Sequence, residues 1–132
     1  MDERTFWYGA EMRVAVVGSR SINDSSHVFS HITRFIKDHT FGSVVLVSGG
    51  ASGPDSLAKA YAKTHGLDFI EFLPYFRLEK GGKFDARDFY IRNMQIIDNC
   101  DKVLAFWDGE SKGTRHALDY ALKTGKPVMI IK

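Results

Sequence analysis

The stretch VVLVSGGASGPD, residues 44–55, joins four consecutive apolar residues to a loop rich in glycine and serine. A short β-branched run that ends in such a turn is typical of a strand covered on both faces, as in a parallel sheet. Pro54 suits the first helical position after the turn, where a missing N–H is harmless. The stretch therefore predicts a buried strand, a tight turn and the start of a helix.

The same alternation recurs along the chain. Five short apolar runs are predicted strands, at residues 13–18, 43–49, 68–73, 102–107 and 127–132. Four segments between them space their apolar residues as helices do, at residues 25–39, 55–65, 86–99 and 114–124. In the third helix we expect the apolar stripe to be Tyr90, Met94 and Ile97. The alternation predicts an α/β fold, a single three-layer Rossmann-like domain with a five-stranded parallel sheet in the order 3-2-1-4-5.

Composition limits the kinds of function open to the chain. Its 132 residues suffice for one domain, which we assign to residues 13–132, with residues 1–12 as an N-terminal arm or expression remnant. A net charge of +2 argues against binding nucleic acid by bulk charge, although a local basic patch is compatible with it. The single cysteine, Cys100, excludes an internal disulfide and favours the cytoplasm. No apolar run approaches the roughly 18 residues of a membrane helix, so no membrane partner is expected.

Three loops at the carboxyl ends of predicted strands are rich in small polar residues: GSRS at 18–21, SGGASGPD at 48–55 and DGESKGT at 108–114. The predicted strand order makes these strands neighbours, so the loops converge on one crevice. Glycine lets the main chain approach a ligand, and free N–H groups at a helix start favour an anion. The loops thus predict a site for a phosphate-bearing ligand. Asp55 would repel a phosphate on those N–H groups, so it suits either a sugar hydroxyl or support of the loop.

Four segments carry a family resemblance when taken in order. They are VAVVGSRS at 14–21, VVLVSGGASGPDSLAKAYAKTHG at 44–66, IRNMQIIDNCDKVLAFWDG at 91–109 and SKGTRHALDYALKTGKPVMII at 111–131. Together they resemble the SMF/DprA–LOG superfamily, known as SLOG, and within it the small YspA-like proteins. The resemblance implies a Rossmann-like sheet that binds a nucleotide or nucleotide-derived, ADP-ribose-like ligand at the three loops, as a sensor or regulatory module. No cofactor is predicted, and the expected partners are a small phosphate-bearing ligand and further copies of the chain, as a homodimer or higher homo-oligomer.

The resemblance also assigns a ligand-binding set. The positions that match the family motifs are Gly18, Ser19, Arg20, Ser48, Gly49, Gly50, Gly53, Asp55, Arg92, Asn93, Gly113 and Thr114, and Asp108 in the third loop completes the set. Arg20 and Arg92 are the natural phosphate clamps, because a guanidinium is planar and permanently charged. The alternative for each arginine is a structural ion pair, with Asp24 and with Asp88 respectively.

Catalysis and nucleic-acid binding are the alternatives. LOG phosphoribohydrolases carry a PGGxGTxxE pattern whose glutamate serves cleavage between base and sugar, but here that position is Ala117, which cannot act as a base. Asp55, Asp108 and Glu110 lie near the crevice and leave open a nucleotide hydrolase of the phosphoribohydrolase type, with its catalytic residues unknown. The Gly-Ser-Arg and Arg-Asn motifs leave open a DprA-like partner for single-stranded DNA.

The histidines and the cysteine have structural interpretations. His27 and His31 are four residues apart but lack a third ligand, so we predict no metal site and expect both imidazoles to face solvent. Cys100 follows a helix end in an apolar setting and is expected to be a buried thiol.

Three aromatic residues are open to two interpretations. Trp107 is expected in the core or at a subunit contact, and stacking on a base is the alternative. Tyr75 and Phe76 share that alternative and lie in the long connection 74–86. A connection of this length is a lid over the site, an interface loop or a plain surface loop.

Overall fold

A computed structural model of the chain describes residues 11–74 and 85–132. Within these residues the elements are β1 (Glu11–Gly18), α1 (Ser25–His39), β2 (Ser43–Gly49), α2 (Pro54–His65), β3 (Asp68–Phe72), α3 (Ala86–Asp98), β4 (Lys102–Phe106), α4 (Lys112–Lys123) and β5 (Val128–Ile131). All paired strands are parallel, and the sheet order is β3-β2-β1-β4-β5. The predicted fold class and strand order are confirmed.

Two helices cover each face of the sheet, which explains why the strands are almost continuously apolar. Successive side chains of a strand point to opposite faces. Val14 and Val16 of β1 therefore pack in one core cluster with α1 and α2, whereas Ala15 and Val17 pack in a second cluster with α3 and α4. Both faces of β1 are consequently buried, and its carboxyl end opens between the two helical layers.

Local chemistry sets the helix ends. Asp24 caps α1 by accepting the N–H of His27 at 3.2 Å. Gly66 ends α2 in the left-handed conformation with φ +68°, as its position after the apolar stripe predicts. Ser111 caps α4, so this helix begins two residues earlier than predicted and places its first turn at the carboxyl edge of the sheet.

Helix α3 buries Ile97 of the predicted stripe, but the rest of its buried face differs from the prediction. Met94, part of the predicted stripe, is 37% exposed. The buried residues of this helix are Asp88, Arg92, Asn93, Ile96 and Ile97. A stripe chosen by hydrophobicity alone misses three polar side chains, of which Arg92 and Asn93 line a cavity at the carboxyl edge of the sheet.

Some of the sequence predictions concern residues that lie outside the description. Strand β1 begins at Glu11, two residues before the predicted start, and residues 1–10 of the predicted arm lie outside the description. The same holds for residues 75–84, which contain Tyr75 and Phe76 and most of the predicted lid. Across the described helices, none combines the length and the apolar character needed to cross a membrane.

Candidate ligand-binding site

The three loops meet at the carboxyl edge of the sheet around a cavity of about 440 Å³. Eight of the thirteen residues in the predicted ligand-binding set line it: Gly18, Arg20, Asp55, Arg92, Asn93, Asp108, Gly113 and Thr114. The other five, Ser19, Ser48, Gly49, Gly50 and Gly53, lie behind the lining or beside it. The strand order brings the first, second and third loops together, and α3 supplies the opposite wall.

Ser19 and Asp108 tie the first loop to the third. The N–H of Ser19 donates to the carbonyl of Phe106 at 2.8 Å, and the N–H of Asp108 donates to Ser19 Oγ at 3.1 Å. The hydroxyl of Ser21 donates to Asp108 Oδ2 at 2.8 Å. Ser19 is buried and acts as a support between β1 and β4, so its side chain is already bonded within the protein.

Two glycines allow the second loop to pack closely against the first. A Cβ on Gly18 would lie 2.5 Å from Pro54 Cγ and 2.7 Å from the carbonyl oxygen of Phe106. Gly53 has φ +85°, and a Cβ there would lie 3.0 Å from the carbonyl oxygen of Ser19. The contact between the first and second loops therefore requires both glycines, whether or not a ligand is bound.

Some of the main-chain amides predicted to receive a phosphate are already bonded to a carboxylate of the protein. Asp108 Oδ1 accepts from the N–H groups of Glu110 and Ser111 in the third loop, both at 2.8 Å. The prediction that the loops present bare amides to the ligand is therefore wrong for these two N–H groups, because a nearby aspartate satisfies them. In the second loop, the N–H groups of Gly49 and Ala51 act on Asp55 and oppose the rise of its pKa. Both interpretations of Asp55 stay predictions.

Asp55 and Arg92 form a buried pair of opposite charges beside Gly49. Asp55 is 5% exposed and Arg92 is 7% exposed. A Cβ on Gly49 would overlap the guanidinium of Arg92, with Cζ 2.8 Å away, and would lie 2.9 Å from Asp55 Oδ2. A side chain at this position would therefore force the guanidinium of Arg92 or the carboxylate of Asp55 to move.

The electrostatics of this pair are dominated by burial. Loss of solvent raises the pKa of Asp55 to about 6, although Arg92, the N–H groups of Ala51 and Gly49, and Arg20 act in the opposite direction. Burial also lowers the pKa of Arg92, against the attraction of Asp55, and the nearby Arg20 lowers it further. The carboxylate acting on Arg92 is thus Asp55, whereas Asp88 forms a reciprocal capping box with Asp85 at the start of α3.

Asp108 is in the opposite situation because it is exposed to solvent. Hydrogen bonds from the N–H groups of Ser111 and Glu110 and from the hydroxyl of Ser21 lower the pKa of Asp108 to about 2. This carboxylate is ionised throughout the neutral range. It therefore contributes a fixed negative charge at the rim of the cavity.

Helix α3 adds an aromatic wall that the sequence reading did not assign to the site. Phe89 and Tyr90 line the cavity one turn before Arg92 and Asn93. The Tyr90 ring stacks on His116 with centroids 4.2 Å apart, and Arg92 Cζ lies 5.7 Å from the centroid of Phe89. The sequence contained a signal for this wall. Residues three apart on a helix share a face, so a site that includes Arg92 and Asn93 also includes Phe89 and Tyr90.

Asn93 and Thr114 join α3 to the first turn of α4. Asn93 Nδ2 donates to the carbonyl of Gly113 at 3.1 Å and lies 3.4 Å from Nδ1 of His116. The N–H of Thr114 donates to Ser111 Oγ at 3.4 Å. Both residues line the cavity and are almost fully buried, so their polar atoms are positioned by the protein before a ligand enters.

Two other residues of the predicted set point away from the cavity. The hydroxyl of Ser48 donates to the carbonyl of Val16 at 2.5 Å, inside the sheet. Gly50 is exposed, and a Cβ there would lie 2.5 Å from Cδ2 of Leu73. Both residues connect the second loop to neighbouring strands, and their assignment to ligand binding stays a prediction.

The remaining sequence predictions have mixed outcomes. Cys100 is buried, and loss of solvent raises the pKa of its thiol to about 11, as expected for an unreactive core cysteine. Trp107 packs against the second core cluster and donates through Nε1 to the carbonyl of Ser111 at 3.1 Å, so it supports the third loop.

The expectation that both histidines of α1 face solvent is wrong. The rings of His27 and His31 lie half-buried against Phe106, with centroid distances of 5.9 and 6.2 Å, because they cover the end of β4. His27 Nε2 also lies 3.1 Å from the carbonyl oxygen of Lys132. Over the described part of the chain, no group of three or more His, Cys, Asp or Glu residues is arranged to hold a metal ion.

Comparison with known proteins gives this architecture a family. The model of a family described as "YspA, cpYpsA-related SLOG family" matches residues 12–78, which include the first two loops of the cavity. The Gene 61 protein of Mycobacterium phage D29 is 33% identical over 121 residues, which are 89% of this chain and 94% of that protein. The chain belongs to the YspA-related SLOG family. A second relative of this SLOG chain, the uncharacterized SPbeta prophage-derived protein YoqJ of Bacillus subtilis, is 41% identical over 46 residues, 35% of this chain and 27% of YoqJ.

Solved structures with the same fold as this SLOG chain include two DNA processing proteins. DNA processing protein A from Helicobacter pylori, whose single-stranded DNA binding mode has been described, matches with a TM-score of 0.69 and 21% identity, over 99% of this chain and 69% of that one. The corresponding protein, DprA, from Streptococcus pneumoniae matches with a TM-score of 0.73 and 22% identity, over 92% of this chain and 50% of that one. At this identity the likeness concerns the fold, and the SLOG chain spans only part of either protein.

Proposed function

We propose that the cavity binds a nucleotide or a nucleotide-derived, ADP-ribose-like ligand, and that the chain acts as a sensor or regulatory module. The observation that carries the proposal is the meeting of two arginines, Arg20 and Arg92, with an aromatic wall in one cavity. A guanidinium binds phosphate oxygens in a planar, two-pronged geometry, and its charge is permanent. A flat base is the natural occupant of an aromatic surface.

The size and lining of the cavity support a ligand of this class. Its volume of about 440 Å³ falls within the range of small-molecule sites, which is roughly 300–1,000 Å³. Apolar groups from Val17, Ile96 and Ala117 form part of the lining, together with the charged side chains of Arg20, Arg92, Asp55 and Asp108. A ligand with a flat apolar part and an anionic part matches this combination.

The family supports the same assignment at a general level. The described binding of single-stranded DNA by the Helicobacter pylori neighbour concerns a phosphate-bearing ligand on a related fold. For this chain we propose a free nucleotide rather than a strand, because a net charge of +2 gives little long-range attraction to a polyanion. Single-stranded DNA is therefore an arm of the test below.

The proposal is tested by thermal unfolding with a panel of AMP, ADP, ADP-ribose, ribose 5-phosphate, adenosine and oligo-dT. A site filled at 100 times its dissociation constant adds about 2.7 kcal/mol to the free energy of unfolding. We expect stabilisation by the phosphate-bearing nucleotides and less by adenosine. Replacement of Arg92 or Arg20 by glutamine abolishes or weakens it.

The matched control is Arg115→Gln, because Arg115 is exposed on α4 and pairs with Asp119 outside the cavity. This variant keeps the full stabilisation. No stabilisation by any member of the panel, with native mass spectra free of ligand, contradicts the proposal. Stabilisation by oligo-dT alone, with a steep salt dependence, replaces it with DNA binding.

A second candidate function is hydrolysis of the bond between base and sugar in such a nucleotide. Asp55 favours it, because a buried carboxyl with a raised pKa in a cavity is typical of acid–base catalysts. Ala117, at the position of the LOG glutamate, lines the same cavity and offers no carboxylate. Release of free base from AMP, measured by chromatography and lost in Asp55→Asn, is the result that would establish this activity.

The assembly and location of the chain are proposed on fewer observations. Ile91 and Met94 are 40% and 37% exposed and lie three residues apart on α3, so they offer a small apolar surface to a second copy. Analytical ultracentrifugation tests a homodimer, and Ile91→Glu is expected to give monomers. A cytoplasmic location fits a chain whose only cysteine is a buried thiol.

A further inference from the structure

Asp55 occupies an anion-binding position that the protein has built for itself. Asp55 lines the cavity beside Arg92 and Arg20, and a Cβ on Gly49 would lie 2.9 Å from Asp55 Oδ2 and 2.8 Å from Arg92 Cζ. The two guanidinium groups and the N–H groups of Gly49 and Ala51 act on this carboxyl and oppose the rise of its pKa. Each of these donors is of the kind that proteins use to bind phosphate. The carboxylate therefore competes with any ligand anion for the same positive charges.

We propose, resting on the proposed function, that ligand binding in this cavity is coupled to uptake of one proton by Asp55. The incoming phosphate pairs with Arg92 and Arg20, and the carboxylate that loses this pairing takes a proton from solvent. Asp55 is thus an internal competitor whose protonation opens the site to anions.

The charges of the lining explain why the proton is needed. The charged residues that line the cavity within the described chain are Arg20, Arg92, Asp55 and Asp108. With both carboxylates ionised these charges cancel, and a phosphate is not attracted. Protonation of Asp55 leaves a net charge of +1, and a phosphate beside a carboxyl group favours its neutral form.

Asp55 is better suited to this role than the other acidic lining residue. Burial raises the pKa of Asp55 to about 6, so only a modest further rise is needed for protonation near neutral pH. Hydrogen bonds from the N–H groups of Ser111 and Glu110 and from the Ser21 hydroxyl lower the pKa of Asp108 to about 2, so it stays ionised. Between pH 5.5 and 8, Asp55 therefore titrates and Asp108 does not.

Among the described residues around the cavity, one further group can titrate in this range. His116 of α4 stacks on Tyr90 and contacts Asn93, and burial lowers its pKa. A protonated His116 would also favour an anion, so its contribution must be separated from that of Asp55. On the β3 side of the second loop, Glu71 is paired with Lys59 at 3.1 Å.

The test is isothermal titration calorimetry with ADP-ribose between pH 5.5 and 8, in buffers of different ionisation enthalpy. The pyrophosphate diester of this probe does not titrate in that range, unlike a phosphate monoester, whose second pKa is about 6. We expect fractional proton uptake that grows as the pH rises above about 6, and an affinity that falls by up to tenfold per pH unit. The proton count comes from the wild-type chain and needs no variant.

Three variants assign the proton. Asp55→Asn is expected to bind ADP-ribose without proton uptake, with an affinity independent of pH and higher than wild type at pH 8. His116→Gln keeps the wild-type proton uptake. The matched control Asp119→Asn, an exposed carboxylate of α4 outside the cavity, also keeps it.

The outcomes separate this inference from the proposed function. Binding without proton uptake, or proton uptake that persists in Asp55→Asn and is lost in His116→Gln, overturns the inference and leaves nucleotide binding intact. Failure of ADP-ribose to bind either wild type or Asp55→Asn at any pH overturns the inference, and failure of every other member of the panel as well overturns the proposed function.

Discussion

The second and third loops of the cavity each hold an aspartate beside main-chain N–H groups at the carboxyl end of a strand. Those of Gly49 and Ala51 act on Asp55, and Asp108 accepts hydrogen bonds from those of Glu110 and Ser111. The pKa of Asp55 is nevertheless raised to about 6, and that of Asp108 is lowered to about 2. The two loops differ in solvent access, so burial rather than hydrogen bonding decides the direction of the shift.

The difference has a functional consequence. Because of its solvation, Asp108 is a permanent anion that shapes the third loop. Asp55 is held beside Arg92, where ionisation and neutrality are close in free energy. The third loop thus carries a fixed charge, that of Asp108. The second loop carries an adjustable charge, that of Asp55, which changes with pH near 6.

The largest effect on the free energy of unfolding is expected at Gly49, against which Asp55 and Arg92 pack. Gly49→Ala would place a methyl group against the Arg92 guanidinium and 2.9 Å from Asp55 Oδ2. We expect it to lower the free energy of unfolding by about 2 kcal/mol, as for overpacking of a filled interior. Urea denaturation measures the loss.

The matched control for this prediction is Gly113→Ala, in the first turn of α4. A Cβ there meets no atom within 4 Å, and alanine is favoured over glycine in a helix by roughly 0.5–1 kcal/mol. Stability should be unchanged or slightly higher. Equal losses in the two variants would show that the buried pair does not constrain the second loop.

A smaller effect is expected when the adjustable charge is removed. The folded pKa of Asp55 lies above its unfolded value of 3.8, so the folded chain binds more protons between about pH 4 and 6 and its stability falls as the pH rises through that window. Asp55→Asn lacks this fall and should be more stable than wild type at pH 8. Urea denaturation at pH 4 and pH 8 gives the difference, and a variant that is less stable than wild type by the same amount at both pH values contradicts it.

The smallest effect is expected for the fixed charge. The folded pKa of Asp108 lies below its unfolded value, so its stabilising contribution is present above about pH 4 and is lost as the pH falls towards 2. Asp108→Ala should lower the Tm at pH 7 and speed hydrogen exchange of the Ser111 amide, and the Tm difference should vanish near pH 2. Glu110→Ala, in the same loop, is the control and should leave both measurements unchanged. A Tm difference for Asp108→Ala that is independent of pH would show that the charge has no part in it.

The comparison also marks where sequence reasoning succeeds. The strand order and the meeting of the loops follow from alternating apolar runs and helical spacing, since parallel strands with short connections allow few arrangements. β2 and α1 have the predicted bounds. The pairing of arginine and asparagine on α3 with the loops follows from the family resemblance, and both residues line the cavity.

The sequence does not reveal the direction of side chains in the loops. SGGASGPD reads as a bare anion nest, but amides of this loop act on the aspartate that ends it. Likewise, a hydrophobic stripe places Met94 in the core, whereas the structure buries Arg92 and Asn93. Both errors have the same cause. A polar group can be buried when the fold supplies a hydrogen-bond or charge partner for it. When that partner lies far away in the sequence, the periodicity of the hydrophobic residues does not reveal it.

The measurement that tests the central claim most directly is an NMR titration of the isotope-labelled chain with ADP-ribose. We predict shifts of the side-chain Nε–H signals of Arg20 and Arg92 and of the amides at 49–55 and 109–114. Signals at the opposite edge of the sheet, where Arg13 and Asp101 line a separate cavity, should not move. Shifts confined to that opposite edge, with both arginine signals unchanged at saturation, would contradict the account.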